Sequence, residues 1–230
     1  MKIMVYNTQH CADFYSGKIN FAGIADVIKN SGAEIVGLNE MRSKGDLPAF
    51  EDQPKILSEL TSLEHYFFAK AIDCGGNNPY GNALLSKYPI LSAERIFVPD
   101  PPVRDNDEFE TRCLLKAKLA CGLTVMVIHF GLNHSEHVNA VQTVLEHLED
   151  EHCILMGDFN VTPENKLLDP IRARMKDAAA YFEKPLLSFP SDVPDRKIDY
   201  IFVSPDVEVI GADIPAVIAS DHRPHTMEIR

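Results

Sequence analysis

Residues 153–160 read Cys153-Ile154-Leu155-Met156-Gly157-Asp158-Phe159-Asn160. Four apolar residues in a row, followed by glycine and alternating polar positions, predict a buried strand over 153–156 with polar groups at its end. In an extended chain Asp158 and Asn160 point the same way, so one carboxylate and one amide are delivered together. The pattern recurs along the chain. Asn7 follows Ile3-Met4-Val5-Tyr6, Glu40 follows Ile35-Val36-Gly37-Leu38, and His129 follows Val125-Met126-Val127-Ile128. Asp199 precedes Tyr200-Ile201-Phe202-Val203, and Asp221-His222 precedes the last apolar run. Strand ends gather at one rim of a sheet, where side chains are held by a rigid scaffold yet meet solvent.

The remaining periodicity places these strands in an α/β chain. Strands are predicted over 2–7, 34–39, 65–72, 82–86, 90–98, 112–119, 122–129, 198–203, 207–213 and 225–229, with turn signals such as Asn78-Pro79 and Cys121-Gly122 between them. Helices are predicted over 19–30, 53–63 and 136–149, and 163–183 reads as helical in pieces. Ile19, Ala22, Ile24, Val27 and Ile28 form the first apolar stripe, which Gly32 ends. Val138, Val141, Leu145 and Leu148 form the third. No repeat, low-complexity tract or linker interrupts residues 1–230, so a single domain is expected. Two sheets packed together with helices outside would bury these faces.

Composition agrees. The chain has 230 residues, 45% hydrophobic and 24% charged, which excludes a disordered, collagenous or bare coiled-coil protein. Its length suffices for a core without covalent staples. The formal charge of -12, from 34 acidic and 22 basic residues, argues against a nonspecific nucleic-acid coat. A bound divalent cation would still create a locally positive site. Five cysteines, an odd number without a C-x-x-C pair, point to free thiols in a reducing compartment such as the cytoplasm. The apolar run at 3–6 is too short for a signal-peptide core, and no run has the length of a membrane span. Asn133-His134-Ser135 and Asn160-Val161-Thr162 match the glycosylation sequon, which without a secretion signal carries no weight.

The polar residues at the strand ends share a chemistry. Glu40, Asp158 and Asp221, with the amides of Asn7 and Asn160, form a hard, oxygen-rich set that suits Mg²⁺ or Mn²⁺ and not a thiolate-bound metal. His129 and His222 can move or donate protons near neutral pH. Asp199 can hold one imidazole in a chosen tautomer. Such a constellation is suited to attack on a phosphate ester. Each residue alone has a plainer reading: Glu40 and Asn7 as turn residues, His129 as a satisfied core histidine, Asp199 as a carboxylate tied to a backbone amide. Their joint occurrence in this order is the signal. His134-Ser135-Glu136-His137 lacks the H-E-x-x-H order of a zinc hydrolase and reads as a helix start capped by Ser135 or a neighbour. Gly75, Gly76 and Gly81 flank a turn and form no phosphate-cradling loop.

The motifs in combination resemble the endonuclease/exonuclease/phosphatase superfamily over nearly the whole chain. They are Asn7, G-L-N-E at 37–40, G-N-A-L-L-S-K-Y-P-I at 81–90, E-T-R at 110–112 and V-I-H-F at 127–130. G-D-F-N at 157–160, K-I-D-Y-I-F at 197–202 and S-D-H-R-P at 220–224 complete the set. The resemblance implies a four-layered α/β/β/α sandwich of two mixed sheets with the site at one rim, and a Mg²⁺- or Mn²⁺-dependent phosphoesterase. It implies that Glu40 binds the metal with Asn7 beside it and Asp221 in the metal shell. Asp158 and Asn160 would position the attacking water and the phosphate. His222, paired with Asp199, would bind phosphate or act as base, and His129 would contact phosphate or serve as the acid. Whether Asp158 or His222 takes the proton stays open. Arg112 resembles the family's arginine and is either a phosphate contact or half of a structural ion pair.

Departures from the family pattern narrow the branch. Abasic-site endonucleases usually carry a tyrosine where this chain has His129, and often an aspartate where it has Gln9. Lysines and arginines are scattered and tryptophan is missing, so no basic, aromatic-interleaved duplex surface is visible. The loop 101–110 is acidic, with Asp105, Asp107, Glu108 and Glu110 around a single Arg104. Loops at 9–18, 42–52, 73–80, 99–111 and 181–196 are expected to form the substrate rim. A small or exposed phosphoester is favoured as substrate, with a nuclease and a non-catalytic binding module as the alternatives.

Overall fold

In strand β1 (Lys2–Asn7) Ile3 and Val5 face one way and Met4 and Tyr6 the other, and all four are fully buried. A strand covered on both faces needs a continuous apolar run, which is what the sequence supplies. The computed structural model describes residues 1–103 and 109–230. Arg104, Asp105, Asp107 and Glu108 of the acidic loop lie outside the described residues.

Two βαβ crossovers organise the molecule. Strand β1 leads through helix α1 (Phe21–Ser31) to the parallel strand β2 (Ile35–Arg42). Strand β7 (Thr124–His129) leads through helix α3 (His134–His147) to the parallel strand β8 (Cys153–Asp158). Antiparallel strands extend each pair. In one sheet β1 and β2 lie among β3 (His65–Asp73), β4 (Pro79–Ser86), β11 (Val209–Asp213) and β12 (His225–Ile229), in the order β11-β12-β1-β2-β4-β3. In the other, β7 and β8 lie among β5 (Ile90–Phe97), β6 (Cys113–Leu119), β9 (Lys176–Asp177) and β10 (Asp199–Val203), in the order β5-β6-β7-β8-β10-β9.

The sheets pack face to face through Ile3, Val5, Leu84, Leu115, Val127, Met156, Ile201 and Met227. Helices α1 and α2 (Gln53–Thr61) cover one outer face over Met4, Tyr6, Leu38 and Leu85. Helix α3 and the short α4 (Asp169–Arg172) cover the other over Leu114, Met126, Ile128, Phe159 and Phe202. The result is the α/β/β/α sandwich.

Several expectations need adjustment. Strand β2 runs on through Glu40 to Arg42 because a bulge between Leu38 and Met41 absorbs the turn expected there. The buried face of α1 is Ile24, Ala25 and Ile28, while Ile19 and Ala22 are exposed. In α3 the covered face is Ala140, Val141 and Val144, with Leu145 and Leu148 at its margin and Val138 exposed. The α3 cap is Asn133, not Ser135. Glu136 reaches back to the Asn133 backbone N–H at 3.0 Å, so both helix-start groups are satisfied reciprocally. The helical pieces within 163–183 are separated by the two-residue strand β9, which pairs with β10.

His225 opens β12 inside the core, fully buried beside the Phe182 ring at 5.2 Å, and among the described residues neither ring nitrogen has a hydrogen-bond partner of good geometry. Burial, with Lys197 nearby, holds its pKa well below the usual imidazole value. Below about pH 6.5 the unfolded chain therefore takes up a proton that the folded chain refuses, and stability falls as pH falls. The contribution grows as pH falls below the unfolded pKa and levels off once the folded imidazole also titrates. Urea denaturation from pH 7 to pH 5 should show His225→Leu with a flatter acid limb than wild type. Equal slopes would refute the assignment.

Candidate active site

The C-terminal ends of the two parallel pairs face the same rim. Asn7 ends β1 and is in register with Asn39 of β2, and His129 ends β7 in register with Asp158 of β8. Asp199 opens β10 directly opposite Asp158. Glu40 sits at the β2 bulge with φ 60°. The bulge re-aims its side chain to the rim. The chain turns after Asp158, and Asn160 has φ 51°, a left-handed conformation that Asn adopts more readily than most residues. Asp158 and Asn160 thus converge through a hydrogen bond, Asn160 N–H to Asp158 Oδ1 at 2.9 Å, and not through the strand alternation expected from the sequence.

Asp158 Oδ2 is the focus. Asn7 Nδ2 donates to it at 3.0 Å, His222 Nε2 lies 3.5 Å away and His129 Nε2 3.6 Å away. Burial pushes the Asp158 carboxyl well above the usual carboxylate range, with His222 opposing and Asp199 reinforcing that rise. His222 Nδ1 meets Asp199 Oδ2 at 2.8 Å, so the imidazole is clasped between two buried carboxylates. Burial alone would drive its proton off, but Asp199 and Asp158 overcome this and hold the imidazole protonated well above neutral pH. The loop behind it fixes the ring. Phe189 lies against it with centroids 4.7 Å apart, and the Ser191 N–H donates to Asp221 O at 2.7 Å.

His129 differs. Arg112 Nη1 lies 3.2 Å from its Nδ1. A guanidinium only donates, so Nδ1 accepts and Nε2 carries the proton toward Asp158. Burial, then Arg112, then His222 keep this imidazole neutral. Asn160 Nδ2 lies 3.3 Å from the same Nε2 and donates to Phe130 O at 3.1 Å. Arg112 is buried and also pairs with Glu110 at 2.7 Å. Its place is thus behind His129, in an ion pair.

Glu40 and Asp221 stand on the more open side. Asn7 Nδ2 donates to Glu40 Oε1 at 3.1 Å, and the Asn7 Oδ1 accepts from the Gln9 N–H at 3.2 Å. Asn7 therefore clips Glu40 to Asp158. Asp221 Oδ1 lies 3.0 Å from the Ser220 hydroxyl. Burial first, and the charge of Asp221 among the further causes, raise the Glu40 pKa. Asp158, Asp199 and His222 bring their ligand-type atoms within 4.8 Å of one another, but there the imidazolium already serves as the internal cation. Among the described residues no Lys or Arg forms a salt bridge with Glu40 or Asp221, and the nearest nitrogen to Glu40 Oε2 in such a pair is His10 Nδ1 at 3.9 Å. Together with the buried Asp199 Oδ1, which has no hydrogen-bond partner among the described residues, Glu40 and Asp221 concentrate carboxylate oxygen at the rim. An oxygen donor set of this kind fits a hard divalent cation.

Sequence reasoning passed over the groups beneath the site. Asn39 is fully buried and ties the sheets together: Nδ2 donates to Asn82 Oδ1 at 2.8 Å and Ile128 O at 3.0 Å, and Oδ1 accepts the Asp158 N–H at 2.9 Å. Asn82 Nδ2 continues the chain to Cys113 O at 2.9 Å. Both asparagines stand inside the motifs at 37–40 and 81–90, and the available signal is an amide in an otherwise apolar strand. His10, on the turn after Asn7, places Nδ1 3.9 Å from Glu40 Oε2. Nothing in the sequence pattern singles it out.

The family model described as Endonuclease/Exonuclease/phosphatase family matches residues 4–222. Among solved structures, an endonuclease/exonuclease/phosphatase from Beutenbergia cavernae is similar with a TM-score of 0.81 and 22% identity, covering 100% of this chain and 71% of that one. A mannosyl-6-phosphatase from Bacteroides thetaiotaomicron gives a TM-score of 0.81 at 17% identity, covering 100% and 99%. The human Nocturnin catalytic domain, solved with a sulfate anion, gives 0.70 at 16%, covering 100% and 94%. No curated protein matches the sequence. At these identities the structural likeness concerns the fold, and the chemistry must be argued from the side chains above.

Proposed function

The chain belongs to the Endonuclease/Exonuclease/phosphatase family, and we propose that it is a Mg²⁺- or Mn²⁺-dependent hydrolase of a small or exposed phosphoester. The observation that carries this reading is the geometry around Asp158 Oδ2, where the side chains of Asn7, His129 and His222 converge beside Glu40.

Each residue then has a task. Glu40 and Asp221 hold the cation, with Asn7 keeping Glu40 in place. When bound, that cation supplies Lewis-acid polarisation of a phosphoryl oxygen. Asp158 orients the attacking water and takes its proton. His222 is clasped by two carboxylates, which favour its protonated form and suit it to donating rather than accepting a proton. It donates to a phosphoryl oxygen and offsets negative charge there. Asp199 fixes its ring and charge. His129 presents its Nε2–H as a neutral donor to the phosphoryl or leaving oxygen, and Arg112 sets that tautomer. Asn160 supplies an amide beside it. The sulfate seen with the Nocturnin domain and the phosphatase name of the Bacteroides relative support a phosphate-directed site on this fold.

A small substrate is favoured because the rim is acidic and the described loops carry no basic stripe for a duplex. All five cysteines are free, three of them buried, which supports a reducing compartment such as the cytoplasm. Among the described residues no helix is long and apolar enough to cross a membrane. The test is a panel in Mg²⁺ of sugar phosphates, inositol phosphates, nucleotides, sphingomyelin, plasmid DNA and single-stranded nucleic acid. A small phosphoester should be turned over fastest. Faster cleavage of nucleic acid would replace this reading with a nuclease, and no turnover of any would favour a binding module.

A further inference from the structure

We propose that His10 is a nitrogen ligand of the divalent cation held by Glu40, which makes the site a mixed nitrogen–oxygen one. This rests on the metal-dependent reading above and deepens it.

The first observation is the backbone. Gln9, His10 and Cys11 have φ of 46°, 47° and 63°. Three consecutive left-handed residues, none a glycine, are unfavourable by about 1–2 kcal/mol each for L-amino acids. Strain of this kind persists where the surroundings over-determine it, and it concentrates at functional sites. The surroundings here are specific. The Cys11 N–H donates to Thr8 O at 2.8 Å and the Ala12 N–H to Gln9 O at 2.9 Å. Gln53, fully buried, donates from Nε2 to His10 O at 2.8 Å and accepts from the Arg42 N–H through Oε1 at 2.8 Å. One side-chain amide therefore fastens the His10 turn to β2 two residues beyond Glu40. The two side chains are held relative to each other by a shared brace.

The second observation is what the brace achieves. His10 Nδ1 lies 3.9 Å from Glu40 Oε2, too long for a hydrogen bond. That nitrogen is buried and has no hydrogen-bond partner among the described residues. Glu40 Oε1 is engaged by Asn7, and Oε2 is the oxygen that faces His10. Two donor atoms each about 2.1 Å from one octahedral ion lie about 3.0 Å apart when adjacent and at most about 4.2 Å when opposite, so from 3.9 Å a small side-chain adjustment would let one cation take both. Packing alone would not require an imidazole with a vacant, shielded nitrogen set opposite a carboxylate oxygen.

Carboxylates suit both Mg²⁺ and Mn²⁺, whereas an imidazole nitrogen adds a preference for the transition metal. The expectation is tighter binding of Mn²⁺ than of Mg²⁺, with His10 contributing a part of that preference that its substitution removes. His10→Asn and His10→Gly both suit a left-handed backbone and keep the turn. The experiment is titration of the purified full chain with Mn²⁺ and with Mg²⁺ by calorimetry, and electron spin-echo spectroscopy of the Mn²⁺-loaded protein. Wild type should show nitrogen modulation from a coordinated imidazole. Both variants should lose it and bind Mn²⁺ about tenfold more weakly, with little change for Mg²⁺. Unchanged modulation and Mn²⁺ affinity in both variants would overturn the His10 assignment while leaving the Glu40 centre in place. Mn²⁺ affinity that survives Glu40→Gln undiminished would overturn the metal reading itself, and the His10 assignment with it.

Discussion

Asp158→Asn lowers turnover by about a thousandfold or more while the protein stays folded, within the range expected of a positioned acid–base group. The substitution is nearly isosteric. An amide oxygen still accepts the Asn160 N–H that now reaches Oδ1 at 2.9 Å. The carboxylate is what disappears, and with it the acceptor on which Asn7, His222 and His129 converge. The folded state sheds a buried acid whose charge burial disfavours, but the new NH2 takes the place of Oδ2 and faces the Asn7 amide donor, so the melting temperature is expected to fall modestly with the protein still folded. Turnover and thermal denaturation on the same preparation check both halves. Activity within tenfold of wild type would show that the proton is taken elsewhere.

His222→Gln removes both function and stability. Asp199 and Asp158 are almost completely buried, and the imidazolium between them is the cation that makes two buried carboxylates tolerable. Deleting one partner of a buried charged cluster typically destabilises by about 3–5 kcal/mol. Without the imidazolium to donate to the phosphoryl oxygen, turnover should also fall at least about a hundredfold. The two effects separate in the double variant His222→Gln with Asp199→Asn. Removing one stranded carboxylate should recover most of the stability seen in urea denaturation and none of the activity. A double variant as unstable as the single one would show that His222 acts through packing and not through charge.

The rim was legible in sequence because each site residue terminates or opens an apolar run, and strand ends of parallel pairs converge for topological reasons. Asn7, His129, Asp158 and Asp199 follow that logic, and the structure places them where the pattern implies. Glu40 and Asn160 reach the site by another route. A bulge and a left-handed turn aim them, and neither has a periodic signature. Helix faces are shifted from the expected stripes, since Val138 and Ala22 are apolar yet exposed while packing selects the neighbouring stripe. Asn39, Asn82 and Gln53 were invisible for a different reason. An amide in a buried element has no pattern, and its value lies in partners distant in sequence, such as the Asp158 N–H for Asn39. His10 depends on that same kind of brace.

The most direct measurement is hydrolysis of an activated phosphodiester before and after chelation. The wild-type chain should lose activity in excess chelator and regain it when Mg²⁺ or Mn²⁺ is added back, whereas Asp158→Asn should stay inactive throughout. Hydrolysis that continues unchanged in excess chelator would contradict metal-dependent phosphoester chemistry at this rim.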